Sequence, residues 1–462
     1  MLPLLQKWGI GMKWFGIFGF ALSLAICSRL QAQTATVTWT ITHQTIDGFG
    51  AACYQEGGCN GMNSAQQAQV FSPTSGIGLS IFRVVVPDDG SCSSTCKFVD
   101  PQTEAAAASY GATLFATPWS PPASMKSNGS TICNTGSGDA SLSTGSYAAY
   151  ATYLKEFATQ FASTYAKSLY AISVQNEPNF CPTTYDGAVW TSAEIDTFVK
   201  ANLGPTLSGT GITVMQPESA TWSSLASFAD TCMTDSSCSS YVGLVAGHGY
   251  EGSYAPYGNQ GSAHLWQTEV YIPQSGAYDP SMANALLVAQ DIHNFLTVTN
   301  GNAYLYWRIY TGNSGTPPDN QGLIPGPSGS TPAQRFWAIG NWSKFVRPGW
   351  VRLGTTTNPQ TGVYVTAFKN SEGTAYAIVA VNTNTTAGGI SQTFSLSGFP
   401  TTTSVTPYVT SSTLNLAQQS SVVVSSSSLT YILPASSVTS LVGNTASDKG
   451  PEPPAELTVV VQ

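Results

Sequence analysis

Two carboxylates at the ends of strand-like segments are the side chains best suited to do chemistry. The segment 170–178 reads YAISVQNEP and contains Glu177, and the segment 264–270 reads HLWQTEV and contains Glu269. One carboxyl group can protonate a leaving oxygen while another attacks or activates water, which is what cleavage of a glycosidic bond requires. Only 24 Asp and Glu occur in 462 residues, so a pair on apolar strands is a selective signal.

The neighbours of these carboxylates suggest a role for each. Glu177 is the candidate general acid/base, because the amide of Asn176 beside it can donate to a sugar hydroxyl. Glu269 is the candidate nucleophile, since an ionised carboxylate can form the glycosyl–enzyme bond of a retaining mechanism. The alternative for both is an ordinary strand-end glutamate. Glu218 also follows a strand but lacks an Asn partner, so we expect it behind the reacting pair, and Glu251 is a weaker rival.

Three further side chains are candidates to support the pair. Arg83 lies in the apolar run IFRVVV, where a cation is costly unless it is paired, so it could hold Glu269 ionised. In the segment GHGY, Tyr250 could hydrogen-bond the nucleophile and His248 could orient a carboxylate. The alternatives are a purely structural ion pair for Arg83 and an ordinary core position for His248.

Two tryptophans are candidate sugar platforms. Trp119 and Trp307 each follow or end a strand-like segment. Flat aromatic rings stack on sugar faces, because C–H groups meet the negative face of the ring. A position in the core is the alternative for both.

Alternating strands and helices between residues 47 and 340 predict a (β/α)8 TIM barrel of the α/β class that positions these groups. The helical candidates are 147–165, 192–207 and 280–296, and the strand candidates are 48–51, 80–86, 113–117, 171–175, 213–216, 242–248, 264–268 and 303–307. Catalytic groups of this fold lie at the C-terminal ends of the strands, which is where Glu177 and Glu269 fall.

The composition changes near residue 347 and predicts a second domain. Residues 341–445 are rich in Ser, Thr and Val with strand alternation, which is typical of an antiparallel β-sandwich. Its strand candidates are 364–368, 375–381, 391–396, 404–409, 421–424 and 429–433, and the N-terminal strand within 33–46 is expected to join it. Residues 446–462 are predicted to be a disordered tail rich in Pro and charge.

The first 32 residues predict a secretory signal peptide. Lys7 and Lys13 precede the apolar run 15–26, and a small residue, Ala32, suits cleavage before Gln33. Of nine cysteines Cys27 lies in this segment, and an even number beyond it suits an oxidising compartment. Local pairs 53–59, 92–96 and 232–238 are the economical expectation, which leaves 133–181. We therefore expect a secreted protein, extracellular or periplasmic.

Composition also limits the partners. Charged residues make up 9% of the chain and the net charge is −8, which argues against nucleic acid and against electrostatic membrane binding after signal removal. A polar, uncharged, aromatic-rich chain suits a polysaccharide. No metal or other cofactor is implied, because a pair of carboxylates can act without one. A monomer is the expected state.

An ordered set of motifs resembles glycoside hydrolase family 30. The matching segments are 44–51 (QTIDGFGA), 82–84 (FRV), 117–122 (TPWSPP), 174–178 (VQNEP), 247–250 (GHGY), 266–269 (WQTE) and 342–349 (WSKFVRPG). The resemblance implies a barrel with a β-sandwich side domain, Glu177 as acid/base and Glu269 as nucleophile. Members of the family include xylanases, glucuronoxylanases, β-1,6-glucanases, β-1,6-galactanases and glucosylceramidases.

The resemblance leaves the substrate open. Glucuronoxylanases of the family grip a uronic acid with an Arg and a Tyr after the eighth strand, a role that Arg308 and Tyr310 could fill, although their spacing departs from that pattern. We expect a secreted retaining endo-glycosidase that acts on xylan or glucuronoxylan. An endo-β-1,6-glucanase or β-1,6-galactanase is the alternative enzyme, and a non-catalytic carbohydrate-binding protein is the alternative of another class.

Overall fold

The computed structural model describes residues 33–53, 59, 61–136, 138–250, 253–311, 319–325 and 331–445. The expected signal peptide, the expected tail, Glu251 and most of the loop 312–330 lie outside these residues. Within them, no helix has the length and apolar character needed to cross a bilayer.

The strands and helices of the described residues alternate first and then give way to strands. In chain order the strands are β1 (Thr34–Thr45), β2 (Gly48–Ala52), β3 (Ile81–Val86), β4 (Thr113–Pro118), β5 (Ala171–Ser173), β6 (Thr213–Thr221), β7 (Val242–Tyr250), β8 (His264–Gln267), β9 (Ala303–Thr311), β10 (Gly322–Pro325), β11 (Val351–Thr355), β12 (Val363–Lys369), β13 (Ala375–Asn382), β14 (Ile390–Ser397), β15 (Ser404–Thr410), β16 (Ala417–Gln418), β17 (Val422–Val423), β18 (Ser428–Leu433) and β19 (Ser437–Asn444). The helices are α1 (Ser64–Phe71), α2 (Pro101–Ser109), α3 (Tyr147–Tyr165), α4 (Ser192–Phe198), α5 (Gly204–Leu207), α6 (Leu225–Thr234), α7 (Ser236–Ser239), α8 (Met282–Asn294) and α9 (Gln334–Ser343).

Strands β2 to β9 form a closed parallel barrel. They pair in chain order, and β9 closes the ring by pairing with both β8 and β2, while β10 pairs in parallel with the C-terminal part of β9. The interior is filled by apolar side chains that include Ile81, Phe115 and Trp266. The rings of Phe115 and Trp266 meet edge to face, with their centroids 5.4 Å apart. This packed interior confirms the predicted TIM barrel and places the site at one end of it.

The second domain is a curled sheet of strands that are mostly antiparallel. Its order is β16-β15-β19-β13-β12-β11-β1-β14-β18, with β17 paired to β15. The N-terminal strand β1 lies between β11, antiparallel to it, and β14, parallel to it. Helix α9 joins the two domains: Trp342 Nε1 donates to Thr366 Oγ1 of β12 at 3.1 Å. The predicted side domain is therefore present, and it contains one parallel pair.

The structure differs from the expected elements in two ways that have physical causes. The helix expected over 192–207 is divided into α4, a π-helical turn (Val199–Leu203) and α5, because Pro205 has no N–H for the regular ladder. Strands β10, β11, β16 and β19 were not expected. Arg352 interrupts the apolar pattern of β11, yet it is buried, and its guanidinium donates hydrogen bonds to Gln44 and Asn300. Strand β19 is buried on both faces and so shows no alternation.

Four disulfides connect the eight cysteines beyond residue 32. They join Cys53 to Cys59, Cys92 to Cys96, Cys133 to Cys181 and Cys232 to Cys238. The expected pairing is confirmed. The Cys133–Cys181 bridge ties the loop after β4 to the loop after β5, at the end of the barrel where the carboxylates lie.

Candidate active site

A cleft of about 740 Å³ opens at the C-terminal ends of the barrel strands. Both candidate carboxylates line it, and both are largely buried: Glu177 is 8% exposed and Glu269 is 6% exposed. The cleft is lined by Trp119, Asn176, Glu177, Asn179, Phe180, Tyr185, Ala220, Thr221, Tyr250, Glu269, Tyr271, Gln274, Trp307, Arg308 and Gln321. Seven of the predicted site residues therefore share one cavity, because parallel strands bring their C-terminal ends together.

Glu177 and Glu269 face each other closely. One oxygen of each carboxylate and a ring nitrogen of His248 lie within 4.8 Å of one another. A separation of about 5–5.5 Å between carboxyl groups is typical of retaining glycosidases, whereas inverting enzymes need more room for a water molecule. The geometry therefore suits direct attack on the sugar better than attack by an interposed water.

Each carboxylate has its own partner from β7. Nδ1 of His248 lies 2.9 Å from Oε1 of Glu177, and the hydroxyl of Tyr250 donates to Oε1 of Glu269 at 2.9 Å. His248 and Tyr250 are two residues apart on one strand, so they point to the same side of it. Both side chains contact a candidate carboxylate, as the sequence predicted, and their roles in a reaction stay predictions.

Arg83 is the buried cation beneath the cleft. Its Nη1 donates to Oε2 of Glu269, and its Nη2 donates to Oδ1 of Asn176 at 2.6 Å. Nη2 also lies 2.9 Å from Oε1 of Glu218, which is fully buried. Arg83 therefore connects both candidate catalytic segments to a third carboxylate that does not line the cleft.

Burial and charge act in opposite directions on this cluster. Burial raises the pKa of the Glu269 carboxyl above its ordinary value, although the charges of His248 and Arg83 act to lower it. Burial by itself would lower the pKa of His248, but the nearby carboxylates of Glu269, Glu177 and Glu218 raise it to about 9. His248 is therefore an imidazolium at neutral pH, and its Nδ1–H donates to Glu177.

The two tryptophans stand together over Arg83. The ring centroids of Trp119 and Trp307 are 5.9 Å apart, and the guanidinium carbon of Arg83 lies 4.4 Å from the centroid of the Trp119 ring. Both indoles are buried, and both line the cleft. They form an apolar floor on which a sugar ring can rest.

Arg308 and Tyr310 are separated by the structure. Arg308 lines the cleft, and its Nη2 lies 3.6 Å from Oδ2 of Asp319. Tyr310 is 2% exposed and is not among the residues that line the cleft. Only one of the two candidate contacts to a uronic acid therefore reaches the cavity.

Several residues of the cleft were not found from the sequence. Phe180 and Tyr185 are 47% and 37% exposed, respectively, and both lie on the loop after Glu177. Tyr271 follows Glu269 by two residues and also lines the cleft. Exposed aromatics shortly after a candidate catalytic residue would have been a usable signal, because such loops form the walls of a barrel's active site.

Glu177, His248 and Glu269 are close enough to one another to hold a metal ion, but their charges favour a different role. His248 is cationic, and Glu269 is already paired with Arg83. In the other cluster with ligand spacing, Cys232 and Cys238 are joined by a disulfide. The arrangement at the cleft suits proton transfer and carboxylate attack.

Comparisons with known proteins show the family to which the chain belongs. Residues 97–284 match the glycosyl hydrolase family 30 TIM-barrel domain. The chain is 32% identical over 427 residues to the glucuronoxylanase XynC of Bacillus subtilis (strain 168), covering 90% of this chain and 93% of the relative.

Two solved structures are similar over nearly their whole length. The family 30 subfamily 8 xylanase Xyn30A from Clostridium acetobutylicum superposes with a TM-score of 0.78 at 32% identity, covering 89% of this chain and 99% of that one. A family 30 endoxylanase from Clostridium papyrosolvens C71 gives a TM-score of 0.75 at 30% identity, covering 89% and 100%. The chain therefore belongs to glycoside hydrolase family 30 and is an O-glycosyl hydrolase of the xylanase-like kind.

Proposed function

We propose that this protein is a secreted, retaining endo-xylanase in which Glu269 is the nucleophile and Glu177 the general acid/base. The observation that carries the proposal is the close approach of the two carboxylates, each with its own partner from β7. Glu269 attacks the anomeric carbon while Glu177 protonates the departing oxygen, and Glu177 then accepts a proton from the water that releases the sugar.

The partners of each carboxylate fit these roles. Glu269 receives hydrogen bonds from Arg83 and Tyr250, which stabilise its ionised form. Glu177 receives one from the His248 imidazolium, which stabilises the carboxylate that remains after Glu177 has given up its proton. Asn176, held by Arg83 and lining the cleft, is placed to donate to a hydroxyl of the reacting sugar.

Xylan is the proposed substrate, because the similar proteins are named as xylanases and because the cleft is aromatic and nearly uncharged apart from its carboxylates. Arg308 is the one cation among the described residues that line it. Asp319 already lies near its guanidinium, and Tyr310 is turned away. We therefore expect hydrolysis of the xylan backbone without a requirement for a uronic acid.

Secretion is supported by the signal-like sequence at the N-terminus and by the four disulfides. Disulfides persist in oxidising compartments and are rare in the cytosol.

Product analysis tests the function. The protein and the Glu269→Gln variant are incubated with linear xylan, glucuronoxylan, β-1,6-glucan and β-1,6-galactan, and the products are identified by mass spectrometry. We expect neutral xylo-oligosaccharides from linear xylan, neutral and acidic ones from glucuronoxylan, and none from the variant. Proton NMR of the newly formed reducing ends should show a retained anomeric configuration. Products from the β-1,6-linked polymers alone would overturn the choice of xylan, and binding without hydrolysis of any polymer would favour a carbohydrate-binding protein.

The Arg308→Ala variant tests whether Arg308 recognises a uronic acid of the substrate. We expect kcat/KM on glucuronoxylan and on linear xylan to change to the same extent. A loss of more than about tenfold, or about 1.4 kcal/mol, on glucuronoxylan alone would show that Arg308 recognises the uronic acid.

A further inference from the structure

Glu218 is a buried carboxylate that the proposed reaction does not use directly. It lies on β6, is fully buried and does not line the cleft. A buried carboxylate is costly unless it is paired and hydrogen-bonded. Its partners therefore indicate what it does.

The side chain of Glu218 lies under both halves of the reacting pair. Its Oε1 is 2.9 Å from Nη2 of Arg83, the same guanidinium that binds Glu269. The same Oε1 is 3.9 Å from Nε2 of His248, whose other nitrogen binds Glu177. Glu218 thus faces Arg83, which binds Glu269, and His248, which binds Glu177.

The backbone of Glu218 also holds the acid/base segment. The N–H of Glu177 donates to the carbonyl oxygen of Glu218 at 3.0 Å. Both glutamates have left-handed backbones, with φ of 49° for Glu177 and 60° for Glu218. Such a conformation at a residue other than glycine costs about 1–3 kcal/mol and persists only where the surroundings enforce it. Strain at both members of a hydrogen-bonded pair is consistent with a shared positioning role.

Charge balance gives Glu218 an electrostatic role as well. Arg83 and His248 are the two cations of the cluster, and Glu218 and Glu269 are the carboxyl groups that face them. Two cations and two carboxyl groups thus surround Glu177, the acid/base of the proposed reaction. Burial opposes ionisation of Glu218, but Arg83 and His248 outweigh it and lower the pKa of this carboxyl.

We propose that Glu218 is a positioning residue of the glycosidase reaction, which fixes Arg83 against the nucleophile and keeps His248 charged beneath the acid/base. This inference rests on the proposed two-carboxylate mechanism but not on the identity of the polysaccharide. The titratable and charged groups that face the cluster are Arg83 on β3, Glu177 and Tyr185 after β5, His248 and Tyr250 on β7, and Glu269 and Tyr271 after β8.

The pH dependence of kcat/KM for Glu218→Gln tests this role. Loss of a buried negative charge makes the remaining carboxyl groups easier to ionise, so we expect both limbs of the bell-shaped profile to move to lower pH by about one unit. A less well fixed Arg83 should lower kcat on the order of 100-fold, with a smaller change in KM.

Two variants separate charge from packing. Glu218→Asp keeps the charge, so its profile should stay at the wild-type pH even if kcat falls. Glu104→Gln removes a different buried carboxylate, on α2 and bonded to Tyr165, and should leave the profile in place. If Glu218→Gln does not fold, Glu218→Asp is the deciding variant. A shift of the limbs of its pH profile would overturn the inference.

The outcomes also distinguish this inference from the proposed function. Suppose that Glu269→Gln is inactive but Glu218→Gln keeps the wild-type pH profile and a near wild-type kcat. This result would reject the role of Glu218 and leave the proposed function standing. An active Glu269→Gln would reject the two-carboxylate mechanism, and the inference with it. All variants are assayed on whichever glycoside the wild-type protein cleaves.

Discussion

At the scale of single residues, the two carboxylates of the site have different hydrogen-bond partners. Arg83 and Tyr250 stabilise the carboxylate form of Glu269, and the His248 imidazolium binds Glu177. The two carboxylates are close, yet their hydrogen-bond donors differ. This asymmetry is what the proposed division into nucleophile and acid/base requires of two identical side chains.

The leaving group distinguishes the two roles experimentally. Glu177→Gln should lose activity on xylan by about 10²–10⁴-fold, the range typical of general acid catalysis. On an aryl glycoside, whose phenolate leaves without being protonated, Glu177→Gln should lose much less activity in the first step. Glu269→Gln, as the matched control, should be inactive on both substrates. Rates for both variants on both substrates are the measurement, and an equal loss on the two substrates in Glu177→Gln would contradict its role as acid.

At the scale of elements, the loop after β5 is the wall of the cleft that sequence reasoning missed. It carries the exposed aromatic rings of Phe180 and Tyr185, and Cys181 anchors it to Cys133. Lys126 reinforces the anchor, because its Nζ donates to the carbonyl oxygen of Gly187 at 2.6 Å. The loop is therefore held in place before substrate binds, which lowers the entropic cost of binding.

Removal of this disulfide should affect stability and substrate binding together. The Cys133→Ser/Cys181→Ser variant should lose about 4 kcal/mol of unfolding free energy, as expected for a loop of this length, and its KM should rise while kcat changes less. The control is Cys232→Ser/Cys238→Ser, whose short loop predicts a loss of about 2 kcal/mol and no change in KM. Denaturant unfolding and initial rates give both quantities. An unchanged KM in the first variant would show that the bridge does not organise the cleft.

The elements also show how far sequence reasoning reaches. Strand-end glutamates, the NEP tripeptide and the buried Arg83 were recognisable because each departs from its apolar surroundings. Their assembly follows from the shared direction of the barrel strands. Tyr310 was grouped with Arg308 because glucuronoxylanases of the family use an Arg and a Tyr after the eighth strand, but only Arg308 lines the cleft, and this difference needs a structure. Glu218 was expected behind the pair, yet its contacts with two cations depend on long-range packing.

At the scale of the whole molecule, stability should depend on pH through a buried acidic pair away from the cleft. Burial and the charge of Glu104 raise the pKa of Asp100 to about 8, and burial raises the pKa of Glu104 to about 7. A carboxyl with a raised pKa in the folded state stabilises fully below its unfolded pKa, and this contribution is lost as the pH rises through the folded value. The protein should therefore be less stable at pH 9 than at pH 5.5.

Asp100→Asn tests this expectation. Because one oxygen of Asp100 is buried without a hydrogen-bond partner, an uncharged amide should be tolerated there. The fall in Tm between pH 5.5 and pH 9 should be smaller in this variant than in the wild-type protein. Glu156→Gln, at an exposed position on α3, should show the wild-type fall. Parallel pH dependences for Asp100→Asn and the wild type would place the effect elsewhere.

The position of β1 has a consequence for the order in which the protein is made. This strand leaves the ribosome before the barrel, but it pairs with β11 and β14, which are synthesised after the barrel. Until they emerge, both edges of β1 are unpaired, and the side domain cannot assemble before β14 has been synthesised. Strand β1 therefore joins its sheet only after the whole barrel has been made. Such a delay is compatible with passage across a membrane before the native structure forms.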